Sequence, residues 1–276
     1  RLTALWDYEK YTTPFMVNSK VFYTYNNGLQ NQYVMYVSSD VEGEGEEKRE
    51  GNFEVLIDPN KLSDDGTVSM SSTEVSPQAG YLAYMLSDGG SDWKTIHVRD
   101  VNTKQDTNDI LSGVKFTNIA WLPDETGFYY SRYPKDENGE YDDSKTVSIY
   151  FHQLGTEQRD DKLVFKFDDK PTWNPYPAVI QDGETLLISV FEGYESNGVY
   201  AKSLTKQGPL LPIFDKWDGL YELIGEEDNK LLFSSTQNAP TGKVIQVTLN
   251  DSPDSKNAVI DISTIIESSD ATLRDA

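Results

Sequence analysis

The chain has no cysteine, only two histidines and few cations, and each shortage closes off a class of function. Without cysteine there are no disulfides and no thiolate metal sites, which suits a reducing compartment such as the cytoplasm. Lys and Arg number 24 against 46 Asp and Glu, a formal net charge of −22 over 276 residues. A field of that sign repels phosphate backbones and argues against nucleic-acid binding. No apolar run approaches the ~20 residues of a membrane-spanning helix, so no membrane partner is expected. No signal peptide opens the chain, which starts at Arg1 rather than Met. No Gly-x-Ser-x-Gly nucleophile elbow occurs anywhere. The acidic runs 40–50 and 136–143 lack a calcium-loop pattern and read as solvated loops. No metal and no cofactor are expected.

With histidine so scarce, "GGSDWKTIHVRDV" (89–101) needs testing, because it holds Ser91, Asp92 and His97 together. The alternation of "WKTIHVRDV" is that of a strand, with Lys94, Ile96 and Val98 on one face and Trp93, Thr95, His97 and Arg99 on the other. Asp92 and His97 are then roughly 16 Å apart and on opposite faces, whereas a triad needs contacts of about 3 Å. His152, in "YFHQL", reads as a strand-face residue. No catalytic residue is expected in this chain.

What is present is a series of short strands joined by Gly, Asn, Asp and Pro turns, rich in tyrosine (17 residues). A polar turn followed by an apolar or aromatic run recurs in "MVNSKVFYTY", "SPQAGYLAYML", "LPDETGFYYSR", "IQDGETLLISV" and "GEEDNKLLFSS". With Val21, Tyr81, Phe128, Leu186 and Leu231 as markers, the steps are 60, 47, 58 and 45 residues. A second strand follows each copy, and often a third. This is the period of β-propeller blades, each hiding its faces against its neighbours. Residues 1–15 read as a lead-in, and blades are expected at about 16–59, 70–113, 116–168, 174–215 and 218–261. Residues 262–276 would be a tail or the start of another blade. Two Trp-Asp dipeptides, Trp6-Asp7 and Trp217-Asp218, are too few for a WD-type scaffold.

The segments "LWDYEKYTTPF" (5–15), "YNNGLQNQYVMYV" (25–37), "GYLAYMLSDGGSDWKTIHVRDV" (80–101), "VKFTNIAWLPDETGFYYSRYP" (114–134) and "YFHQLGTEQRDDKLVF" (150–165) resemble, in order, the propeller of prolyl oligopeptidases. The resemblance implies an all-β, seven-bladed propeller capping an α/β-hydrolase domain that cuts short peptides after proline. About five blades would be present here, with the hydrolase domain absent. The implied role is a gate that admits short proline-containing peptides and excludes folded proteins. The implied partners are those peptides and the hydrolase domain.

Five positions follow from the resemblance. Phe116, in "VKF", matches an aromatic lining the pocket beyond the proline site, and a core aromatic is the alternative. Asp92, in "GSDW", matches a residue paired with an arginine of the hydrolase domain, and a turn-capping aspartate is the alternative. Asn174, after Trp173, stands where an apolar residue is common. Phe191 stands where an arginine binds the peptide backbone, and Tyr194 where a smaller residue is usual. These departures imply peptide binding by packing more than by charge. The competing class is a free-standing propeller that binds a protein or peptide without chemistry. A related exopeptidase propeller fits the strongest motifs less well.

Overall fold

The computed structural model describes residues 1–38, 52–168, 170–180, 183–206, 208–227, 229–249 and 260–273. The acidic run 40–50 lies outside them. A short helix, α1 (Leu2–Trp6), leads into five sheets that follow one another along the chain. The first holds β1 (Lys10–Tyr11), β2 (Phe15–Val17), β3 (Lys20–Asn26), β4 (Val34–Ser38) and β5 (Glu54–Ile57). The second holds β6 (Val68–Val75), β7 (Tyr81–Asp88), β8 (Lys94–Asp100) and β9 (Gln105–Val114). The third holds β10 (Ala120–Trp121), β11 (Gly127–Arg132), β12 (Ser148–Gln153) and β13 (Lys162–Lys166). The fourth holds β14 (Asn174–Val179), β15 (Thr185–Phe191), β16 (Asn197–Ser203) and β17 (Leu211–Phe214). The fifth holds β18 (Tyr221–Glu227), β19 (Lys230–Ser235), β20 (Lys243–Leu249) and β21 (Ile260–Ile266). From the second sheet on, strands pair in chain order, as consecutive hairpins require. The five repeat markers fall on β3, β7, β11, β15 and β19, the second strand of each sheet's main path. β21 pairs with β20 and crosses the expected boundary at 261. No helix among the described residues is long and apolar enough to cross a membrane.

The chain divides into two compact units, and the third sheet contributes to both. In the first unit, Phe22, Met35, Leu56 and Ile57 of the first sheet pack with Leu82 and Tyr84 of the second. Leu82 to Met85 are four consecutive buried residues, so β7 is covered on both faces. Leu82 and Met85 each contribute about 1.5–3 kcal/mol on burial.

Polar side chains join the sheets where apolar ones do not. The Gln32 amide accepts from the Met70 N–H (2.8 Å) and donates to the Val68 carbonyl (2.9 Å). The Glu125 carboxylate accepts from Ser76 and from the amides of Gln78 (2.7 Å) and Gly80 (3.2 Å). Gly80 permits this approach, since a Cβ there would lie 2.4 Å from Glu125 Oε2. His152, fully buried on β12, is held at Nδ1 by Asp161 (2.7 Å) and at Nε2 by Asp109 of β9 (3.0 Å). Burial alone would lower its pKa, but the two carboxylates outweigh burial and raise it to about 9. Its strand position agrees with the sequence reading; the buried ion cluster around it does not follow from that reading.

The second unit runs through Phe116–Ala120, Tyr129–Phe151 and the chain from Leu163 on. Leu187, Val199 and Ala201 of the fourth sheet form one core with Tyr221, Leu231, Phe233 and Val247 of the fifth. Phe214 stacks on Tyr221 at 3.8 Å. Asn197, fully buried, takes the Tyr221 N–H on its oxygen (2.7 Å) and gives its NH2 to the Tyr221 carbonyl (3.0 Å). One side-chain amide thus does the work of a strand residue.

Candidate functional site

The two histidines are both engaged. His97 Nε2 bonds Thr95 Oγ1 at 2.9 Å and its ring stacks on Tyr84 at 5.5 Å. His152 is occupied at both nitrogens by carboxylates. Ser91 is spent on its own turn, its hydroxyl oxygen accepting from the Trp93 N–H (3.1 Å). No group of three or more His, Asp or Glu side chains is arranged to hold a metal ion among the described residues.

Asp92 stands in the exposed connection between β7 and β8. Ser91, not Asp92, caps that turn, and the Asp92 carboxylate accepts no hydrogen bond within the described residues. The turn-capping alternative therefore fails.

The other sequence-derived positions lie in the second unit. Asn174 opens β14 and Phe191 closes β15, and the two are direct cross-strand partners. The Asn174 side chain is committed: it accepts from the Tyr133 hydroxyl (3.1 Å) and donates to the Thr172 carbonyl (3.4 Å). The Phe191 ring meets Tyr176 edge-on at 5.4 Å, an arrangement favoured by the ring quadrupoles. Tyr176 lies two residues beyond Asn174 and so on the same face. Tyr194 stands at the tip of the β15–β16 connection, 95% exposed. Phe116 is 45% exposed, which excludes a core role for it. Its neighbour Thr117 accepts from the Ser131 N–H (2.7 Å), and the Ser131 hydroxyl donates to the Pro175 carbonyl (2.6 Å). That relay links the start of the third sheet to the end of the fourth that carries Asn174, Phe191 and Tyr194.

The tip is exposed because its base is fixed. Glu192 accepts from the Thr172 hydroxyl (2.6 Å) and from Trp173 Nε1 (3.1 Å), and these bonds hold its carboxyl below the usual range. Gly193 then turns the chain at φ +86°, a conformation open to glycine. Burial raises the Tyr176 phenol pKa, and the nearby Tyr194 phenol adds to it. Burial likewise raises that of Tyr133, helped by Asp143 and Tyr176. Glu192, Tyr133 and Tyr176 escaped the sequence reading. Period-two spacing from Asn174 was the available signal for Tyr176; nothing local marks the other two.

A model of the prolyl oligopeptidase N-terminal β-propeller domain matches residues 1–273. The chain is 33% identical over 263 residues to a prolyl endopeptidase of Elizabethkingia miricola, covering 94% of this chain and 36% of that protein. It is 31% identical to prolyl oligopeptidase A of Galerina marginata, covering 87% of this chain and 36% of the relative. A solved prolyl endopeptidase superposes with a TM-score of 0.83 at 28% identity, over 98% of this chain and 37% of that one. Prolyl oligopeptidase B of Galerina marginata, solved bound to a 35-residue hydrolysis and macrocyclization substrate, gives 0.81 at 26% identity, over 97% of this chain and 39% of that one. The chain thus spans little more than a third of its relatives. Five successive sheets with the strand order of propeller blades, matched from end to end, place this chain in the prolyl oligopeptidase family as its N-terminal β-propeller domain.

Proposed function

We propose that this chain is the gating propeller of a cytoplasmic serine peptidase that cleaves short peptides after proline. The chemistry belongs to an α/β-hydrolase domain of the same parent protein, and the propeller decides which peptides reach it. Exclusion is physical: an enclosed cavity admits short flexible chains and keeps out folded ones. The observation that carries the reading is the match of residues 1–273 to the propeller of that family. The Asp92 carboxylate, unpaired among the described residues, suits a charge-assisted bond to an arginine of the hydrolase domain. Phe116, Asn174, Phe191 and Tyr194 form the surface that meets the peptide, with Asn174 acting through its shape and its bond to Tyr133.

Fluorophosphonate labelling read by intact mass tests this. The 31.2 kDa chain should take no label. A longer protein carrying it should take one label and cleave proline-containing peptides but not folded proteins. Label on the 31.2 kDa chain itself would refute the assignment.

A further inference from the structure

Asn174 and Phe191 are the last pair of the β14–β15 ladder, and beyond them side chains hold the two strand ends together. Glu192 follows Phe191 directly and reaches back to the two residues before Asn174. Its carboxylate takes the Thr172 hydroxyl at 2.6 Å and the Trp173 Nε1–H at 3.1 Å. Both are bonds to an ionised acceptor, the stronger class. Thr172 carries the constraint onward, because its carbonyl accepts from the Asn174 amide at 3.4 Å. Trp173 is held from its other sides as well. Its ring meets Phe167 edge-on and Trp217 at a tilt, each at 5.0 Å, and the Lys170 ammonium lies 4.6 Å over it. Trp217 itself sits at φ +56°, a region that bulky residues seldom take unless their surroundings impose it. Glu192, by contrast, is exposed and adds nothing to the core. What its two bonds fix is where the start of β14 stands against the end of β15.

We propose that Glu192 is a positioning residue for peptide binding: by holding Thr172 and Trp173 it sets the Asn174–Phe191 pair for peptides that extend beyond the residue preceding proline. This rests on the reading that Asn174 and Phe191 meet the peptide. A peptide too short to reach the pair does not sense Glu192. A longer one binds across the pair and does. The effect falls on binding, since the groups that break the bond belong to the hydrolase domain.

The test uses the full-length enzyme and two fluorogenic probes, acetyl-Ala-Pro-aminomethylcoumarin and acetyl-Phe-Gly-Ala-Pro-aminomethylcoumarin. Glu192→Ala should raise KM for the longer probe about two- to tenfold, the change expected from one hydrogen bond, with kcat and the shorter probe's KM unaltered. Glu192→Gln keeps a neutral acceptor for one of the two donors, so its KM for the longer probe should fall between. Phe191→Ala is read beside them. If Phe191→Ala raises KM for the longer probe and Glu192→Ala does not, the inference is overturned and the peptide-facing reading stands. A loss shared equally by both probes would also overturn it, because that is what a merely structural role produces. If neither substitution alters the longer probe, the peptide-facing reading fails and the inference with it.

Discussion

His152 makes the stability of this domain depend on pH in a direction that can be worked out in advance. Three groups face its ring, Asp109 from β9, Asp161 from the β12–β13 connection and Phe128 from β11, and the Gly155 amide donates to the same Asp109 oxygen (2.6 Å). Histidine titrates near 6.5 in the unfolded chain and near 9 here. A raised pKa contributes stability that is complete below pH 6.5 and is lost as pH climbs through 9. At 1.36 kcal/mol per pH unit the loss across that window is about 3 kcal/mol. Asp109 sets the acid side. Burial opposes its charge, but bonds from His152, Thr107 and Gly155 hold its pKa below 3.8, so its share is lost as pH falls through that lowered value. His152→Gln keeps one donor but leaves two buried carboxylates without a cation, and at pH 6 it should cost about 3–5 kcal/mol. Urea unfolding followed by tryptophan fluorescence at pH 6 and 9.5 reads both effects. The unsubstituted chain should weaken over this range by about 3 kcal/mol more than the variant. Equal midpoints at pH 6, or identical pH slopes in the two proteins, would refute the reasoning. Imidazole NMR offers an independent check: one histidine should titrate near 9 and the other, His97, below its usual value because it is buried.

Two further outcomes follow from single contacts. Asn197→Leu preserves volume but strands the buried N–H and C=O of Tyr221, and should cost about 2–5 kcal/mol by urea titration. Gly28→Ala puts a Cβ 2.6 Å from Asp7 Oδ1 at a backbone φ of +123°, and should release the lead-in segment, with faster proteolysis before Lys10 as the readout.

The sheets were legible because strand signals are local. Turn residues bound each run, apolar residues repeat inside it, and the five markers landed on equivalent strands. The first strands were harder. β14 reads "NPYPAV", in which two prolines argue against a central strand, yet it occupies one edge of its sheet, where a missing N–H costs nothing. β10 has only two residues and gives periodicity no room to show.

The sequence proposed positions for the candidate site but none of their contacts, and the reason is general to this architecture. Periodicity reports which face of a strand a residue takes; it carries no information about which other sheet that face will meet. Gln32 with Val68 and Met70, Gln158 with Ser112, and Asn197 with Tyr221 each place a side-chain amide on the backbone of another sheet. At the start of β14 the Ser131 hydroxyl reaches the Pro175 backbone and the Tyr133 hydroxyl the Asn174 side chain. In each pair the partners are 24–46 residues apart. Amides and hydroxyls in turns are common enough that none of these stands out in the sequence. The same bonds that hold neighbouring sheets together therefore fix Asn174 against Tyr133 and leave Tyr194 and Phe116 projecting. If the proposed function holds, a substitution at one of those links, Ser131→Ala for instance, should shift the peptide selectivity of the full-length enzyme while Phe116, Asn174, Phe191 and Tyr194 stay unchanged, and an unaltered ratio of cleavage rates across a set of proline-containing peptides would refute this link.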